Sequence, residues 1–321
     1  METLGGLLPC CIATLFLLSA LCNNVAFAAK FTIANGCSYP VWPGILSNAG
    51  STLLGNGGFE LAPGQSASIQ VSPGWSGRLW GRTECKFSAS GTGTCASGDC
   101  GGKLQCQGAG ATPPATLAEF TLAGRQPNVK QDFYDVSLVD GYNIPIAVVP
   151  TSGIGTCGTA GCARDLNTNC PAELQVVSEG MSDGGSSVVV GCKSACDAFG
   201  DPRYCCAGAY ANPTTCKPSS YSEIFKSACP RAYSYAFDDP TSTFTCTNAD
   251  YTILFCPSSS SQKTVTGLQQ PESDLMGTQA YARATSPGQA GPKPTSCLIL
   301  AATVTSLVVS FARFPFVRLS P

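Results

Sequence analysis

Residues 91–106 read GTGTCASGDCGGKLQC, a stretch with three cysteines and five glycines and with Leu104 as its one large aliphatic side chain. A segment this poor in apolar side chains cannot fold around a core of its own and must be held by covalent links. Residues 83–113 are therefore expected to form a small disulfide loop module. On either side of it the chain reads as short strands. The segments FTIANGC (31–37), YPVWPG (39–44), SASIQVSPG (66–74), GRLWGRTEC (77–85), AEFTLAG (118–124), DFYDVSLVDG (132–141) and NIPIAVVP (143–150) alternate polar with β-branched or aromatic residues. Turn residues separate them and no long helical pattern intervenes, so the expected class is all-β dominated, a sandwich or barrel.

The texture changes after residue 157. Cysteines crowd in, and ARDLNTNCPAEL (163–174), SACDAFG (194–200) and SYSEIFKSAC (220–229) carry helical patterns. Short stapled helices are expected, in a module spanning 164–229. TSTFTC (241–246) and DYTILFC (250–256) return to strand. A last strand that pairs back into the first sheet suits a Cys37–Cys256 bridge across the domain.

Both ends differ from this middle. Residues 1–28 combine an apolar run (12–20) with Ala26-Phe27-Ala28, an A-x-A cleavage pattern, and lack Lys and Arg. They read as a secretory signal peptide, with the basic n-region missing. Residues 258–296 are rich in Ser, Thr, Gln, Gly and Pro, as a disordered linker is. They lead into CLILAATVTSLVVSFA (297–312), whose 16 residues would make a helix of about 24 Å, short of the roughly 30 Å hydrocarbon core. An apolar tail (297–321) behind a polar spacer is the layout of a GPI-anchor signal, with Ala284-Thr285-Ser286, Gly288 or Gly291 as attachment site. Arg313 and Arg318 keep open a short spanning helix, and an unprocessed tail is the third option. The expected location is extracellular, tethered to the outer face of the plasma membrane through a lipid anchor.

Composition narrows the chemistry. Of 20 cysteines, 16 lie between Cys37 and Cys256, an even number suited to complete pairing in an oxidising compartment. The chain has no histidine. Ser-His-Asp and Cys-His catalysis are excluded, zinc is disfavoured, and no metal or other cofactor is expected. Between residues 29 and 257 there are 17 acids against 13 bases, with no Lys/Arg cluster, so nucleic acid is not an expected partner. Any enzyme built here must move protons with carboxylates.

With all 16 cysteines placed, the chain resembles the thaumatin-like proteins, the fifth class of plant pathogenesis-related proteins. GTGTCASGDCGGKLQC carries the resemblance, with Ser97 where members more often have Thr. Around it stand NGCSYPVWPG (35–44), LWGRTEC (79–85), TLAEFTL (116–122), YDVSLVDGYNIP (134–145), CCAGAY (205–210), FKSACPRAYSYAFDDPTSTFTC (225–246) and FCP (255–257). The resemblance covers 29–257 and implies a β-sandwich flanked by a disulfide-rich helical domain and a small disulfide loop domain. It also implies a pairing: Cys37–Cys256, Cys85–Cys95, Cys100–Cys106, Cys157–Cys246, Cys162–Cys229, Cys170–Cys192, Cys196–Cys205 and Cys206–Cys216. Two departures stand out, a lengthened loop between Cys170 and Cys192 and the tail beyond Pro257.

The resemblance also implies a cleft lined by one Arg and four acids, here Arg78, Glu119, Asp135, Asp140 and Asp238. Asp239 leaves the last assignment open by one position. Two carboxyls flanking a glycosidic bond can hydrolyse it, one as proton donor and one as nucleophile or base. Glu119 is the expected general acid and Asp140 its partner, with Arg78, Asp135 and Asp238 binding substrate and tuning them. Asp135 and Asp140 are five apart, so strict alternation would send them to opposite faces unless a bulge intervenes or Asp140 lies in the D-G turn. The competing structural role is an ion-pair network between modules. Trp42, Trp75, Trp80, Tyr134 and Tyr142 are the aromatics available to a sugar, although strand aromatics are mostly core. The expected function is a monomeric plant defence protein recognising β-1,3-glucan or another cell-wall polysaccharide, with or without weak endo-glucanase activity. The alternatives are a non-catalytic antifungal protein acting on a membrane or receptor, and an inhibitor of foreign hydrolases.

Overall fold

In the computed structural model, the described residues are 29–124, 131–178 and 187–257. The expected signal peptide 1–28, the expected linker 258–296 and the tail 297–321 lie outside them, as do residues 179–186 of the lengthened Cys170–Cys192 loop.

The alternating segments become strands close to where the pattern puts them. They are β1 (Ala29–Asn35), β2 (Trp42–Ser47), β3 (Ser66–Val71), β4 (Ser76–Arg82), β5 (Lys86–Phe87), β6 (Gly93–Thr94) and β7 (Leu117–Thr121). After these come β8 (Asp132–Ser137), β9 (Ile146–Pro150), β10 (Ala160–Cys162), β11 (Gln175–Ser178), β12 (Val188–Cys192), β13 (Phe244–Cys246) and β14 (Tyr251–Phe255). One five-stranded sheet has the order β10-β9-β14-β1-β3 and another the order β13-β8-β7-β4-β2. The last strand does return to the first: β14 lies parallel to β1, Phe31 opposite Tyr251.

Period-two alternation decides what is buried. Along β1 the odd positions are covered, and Phe31 and Ile33 are sealed from solvent. Across the sandwich Phe31 meets Phe120 with ring centroids 4.5 Å apart, and Tyr251 meets Tyr134 at 5.0 Å. These edge and tilted aromatic contacts add to the area term in holding the sheets together.

The outer face of the second sheet carries a smaller core. Trp80, Leu117 and Ala115 pack there with Cys100 and Cys106 of the loop module. Trp80 also donates Nε1–H to the Gly98 carbonyl at 2.8 Å. Gly44 sits opposite Trp80 in the β2–β4 register, and a Cβ there would lie 2.4 Å from the indole, so only glycine fits. Arg82 bolts the module down. Its fully buried guanidinium donates to the carbonyls of Trp42 (3.0 Å), Pro43 (3.1 Å), Lys103 (2.7 Å) and Leu104 (2.7 Å).

All eight disulfides join the cysteines that the resemblance implies, from Cys37–Cys256 to Cys206–Cys216. The cysteine-rich module holds α1 (Ala195–Phe199), α2 (Pro202–Cys205) and α3 (Ser220–Ala228), and α4 (Asp239–Ser242) follows it. A Ser219/Ser222 capping box starts α3 and Ser194 caps α1, both side chains satisfying backbone N–H groups that a helix leaves open. Three local expectations change. ARDLNTNCPAEL forms two 3-10 turns, 166–169 and 172–174, because Pro171 removes a backbone donor between them. TSTFTC is strand only from Phe244, Thr241 and Ser242 belonging to α4 and Thr243 capping it. The lengthened loop contributes a two-stranded ribbon, β11–β12, that the polar sequence at its tip hides.

Candidate functional site

Strand parity assembles the site. Arg78 on β4 lies directly opposite Glu119 on β7, and Glu119 lies directly opposite Asp135 on β8. The three side chains form one row across the outer face of the second sheet. The loop module closes that face at its Trp80–Leu117 end and leaves it open at the row. There an open cleft of about 230 Å³ is lined by Arg78, Glu119, Asp135, Asn48, Thr121 and Phe133, among others.

The row is charged and incompletely satisfied. Arg78 Nε stands 3.5 Å from Glu119 Oε1, close enough for an ion pair and too long for a good hydrogen bond. Arg78 Nε and Asp135 Oδ1 are both buried with no hydrogen-bond partner among the described residues. Buried polar atoms left this way cost stability and mark a place where a ligand can supply the missing bond.

Both carboxyls hold their protons more tightly than usual. Burial raises Glu119 most; the Arg78 charge works against it, and the charge of Asp140 adds to it. Asp135 is pushed up to about 8, first by burial, next by Glu119, against Arg78, and last by Asp239. Glu119 and Asp135 stand on opposed positions of neighbouring strands, so the charge of Glu119 adds to the burial that raises Asp135.

The other expected residues reach the site differently. Asp140 is not on β8. It sits in the turn closed by Gly141 N–H to the Leu138 carbonyl at 3.0 Å, where Gly141 has φ 87°. The D-G turn thus resolves the parity conflict: Asp140 acts on Glu119 through its charge and does not share its row. Asp238 points to the helical module. Its Oδ2 accepts from Ser234 N–H (3.0 Å) and Ser234 O–H (2.9 Å) and pairs with Lys226 Nζ at 2.9 Å. From this segment it is Asp239 whose charge reaches Asp135, and Asp239 accepts a hydrogen bond from Tyr233 at 3.0 Å.

Four of the five offered aromatics are core. Trp75, Trp80, Tyr134 and Tyr142 are each at most 1 % exposed, and their polar tips bond internally, Tyr134 to Gly158 O at 2.6 Å for example. Trp42 lines a different groove. The aromatic at the cleft is Phe133, 42 % exposed. Its signal was in the sequence: in DFYDVS it shares the parity of Asp135. Tyr233 had none, because it reaches the site by backbone pairing to β8, donating to the Val136 carbonyl at 2.8 Å.

A family model for the thaumatin family matches residues 35–257. The chain belongs to that family. A pathogenesis-related thaumatin-like protein 3.5 of Cryptomeria japonica is 58% identical over 248 residues, covering 77% of this chain and 98% of the relative. Thaumatin-like protein 1 of Arabidopsis thaliana is 63% identical over 235 residues, covering 72% and 86%. Pathogenesis-related protein 5 of the same plant is 52% identical over 246 residues, covering 77% and 98%. Among the described residues no helix is long and apolar enough to cross a membrane.

Proposed function

We propose that this chain is an extracellular plant defence protein that recognises β-1,3-glucan through the Arg78–Glu119–Asp135 cleft, with a weak hydrolytic capacity in the same carboxyls. One observation carries the reading: two opposed acids and an arginine share an open row in which Asp135 Oδ1 and Arg78 Nε have no hydrogen-bond partner among the described residues. A glucan offers hydroxyls that both donate and accept, so it can satisfy both atoms at once. Phe133 adds an apolar face beside them. The defence role draws support from relatives whose names call them pathogenesis-related. Eight disulfides require an oxidising compartment, which supports export, and the tail 297–321 is the candidate signal for attachment to the cell surface.

For hydrolysis the roles shift from the expected Glu119–Asp140 pair. Asp135 keeps its proton up to about pH 8, so it is the proton donor, and Glu119 is the carboxylate across from it. Directly opposed strand residues hold their Cβ atoms about 4.5–5.5 Å apart, so the two side chains are neighbours on one face. Retention or inversion of the anomeric configuration follows from the separation of the carboxyl groups themselves. Asp140 and Asp239 supply negative potential around an oxocarbenium-like transition state.

The test uses the secreted protein with linear β-1,3-glucan, following pull-down and reducing-end release for wild type, Glu119→Gln and Asp135→Asn. Binding kept and release abolished in both variants establishes the hydrolase. Binding without release in wild type makes the cleft a recognition site, which is the second reading. No binding sinks the glucan assignment.

A further inference from the structure

A second, larger groove of about 370 Å³ shares no lining residue with the cleft. Tyr39 and Trp42 form its aromatic wall, Val188 and Val190 of β12 with Ile144 its apolar wall, and Glu84 and Asp165 its charge. Its volume falls at the low end of small-molecule sites, roughly 300–1,000 Å³.

The charged groups here are both acceptors, the carboxylates of Glu84 and Asp165. Among the described residues, Glu84 and Asp165 take part in no ion pair and no lysine or arginine lines the groove. Both carboxylates lie near enough to Tyr39 to raise its phenol, after burial itself. Asn167, also in the lining, donates to the Asn143 carbonyl at 3.0 Å, while its Oδ1 is buried with no hydrogen-bond partner. Tyr39 is 42 % exposed, so the aromatic wall is accessible. Glu84 is held at φ 50°, a conformation uncommon for a residue with a side chain.

Charge complementarity selects the occupant. A neutral sugar would match the aromatics but gain no charge interaction with the two exposed carboxylates. An alkylammonium neutralises them, donates to the unpaired acceptor, and lays its methylenes on the valines and its charge against the Tyr39 and Trp42 rings. We propose that this groove is a binding site for an organic cation with an apolar stem, the chemistry of an aliphatic polyamine.

The test titrates spermidine into the full-length secreted protein at low and at physiological salt, read by tryptophan fluorescence. Trp75 and Trp80 are sealed in the two cores, so a change reports on Trp42. The expected result is a saturable change that weakens with salt. Glu84→Gln and Asp165→Asn should each weaken it by about tenfold, the order of one lost charge contact. Asparagine at 165 can still accept from Asn167 N–H, which Asp165 does at 3.0 Å, so the local turn is kept. Glu60→Gln removes an exposed acid elsewhere, and Glu119→Gln one from the cleft; neither should change the affinity. Should Glu84→Gln fail to fold by near-ultraviolet dichroism, Tyr39→Phe and Asp165→Asn carry the test. An equal loss in Glu60→Gln, a loss in Glu119→Gln, an equal response to a neutral glucan oligosaccharide, or no binding would each overturn the proposal. Because the cleft is untouched by these groove variants, glucan binding can fail or succeed independently.

Discussion

Strand β4 carries two arginines four residues apart on the same face, and they do opposite things. Arg82 is sealed beneath the loop module with four carbonyls on its guanidinium. Arg78 lies where that cover ends, with one loose ion pair and an unpartnered Nε. Residue type and parity are identical; what differs is whether another part of the chain folds over the position. A saturated buried cation is structure, and one left short of partners beside opposed carboxyls is a site.

The comparison breaks most sharply at Arg82. Arg82→Leu strips donors from four buried carbonyls and should destabilise the domain by about 3–5 kcal/mol, measured by denaturant unfolding. Hydrogen exchange should show residues 83–113 losing protection first. Arg78→Gln should cost less than about 1 kcal/mol, since its ion pair is half-exposed. It should nevertheless weaken glucan binding about tenfold and raise both carboxyls further, because the one opposing positive charge is gone.

Asp135→Asn sharpens the same contrast through pH. The folded protein keeps a proton on Asp135 up to about 8, while the unfolded chain releases it near 3.8. Between those values the native state binds more protons than the unfolded one, so stability falls as pH rises. The Asn variant lacks that share of the slope: its Tm should exceed that of wild type most at pH 8 and converge with it near pH 4. The smallest effect belongs to Phe133→Ala. An exposed strand aromatic should cost about 0.5 kcal/mol or less in stability and reduce glucan affinity only a few-fold. A large loss of stability there would mean that Phe133 is core and not cleft wall.

Much of this was legible beforehand. Alternation in residues 132–137 set Asp135 and Phe133 on one face and Tyr134 on the other, because side-chain direction in a strand is a local property. The Asp140-Gly141 turn was equally readable, since glycine at φ 87° is what such a turn needs. Helix α3 announced itself through the helical pattern of SYSEIFKSAC, and the structure adds its serine cap. The segment 163–174 misled, its helical pattern outweighed by a proline and a neighbouring cysteine bridge.

The site was legible only in part. Glu119 and Asp135 could be nominated by resemblance, but their facing positions depend on the β7–β8 register, which one strand alone does not contain. Asp238 and Asp239 are adjacent in sequence, and only packing against Lys226 and Tyr233 gives them different partners.

By itself, then, the sequence determined the all-β class, the oxidising environment, the absence of imidazole chemistry and the face each strand residue occupies. These follow from composition and from period-two geometry. Tertiary structure alone decided which end of the outer face is covered, which carboxyls are buried and so hold their protons, and where a second groove opens between Tyr39 and Val188. Those depend on contacts between residues far apart in the chain, and the energy of a charge is set by what surrounds it rather than by its place in the sequence.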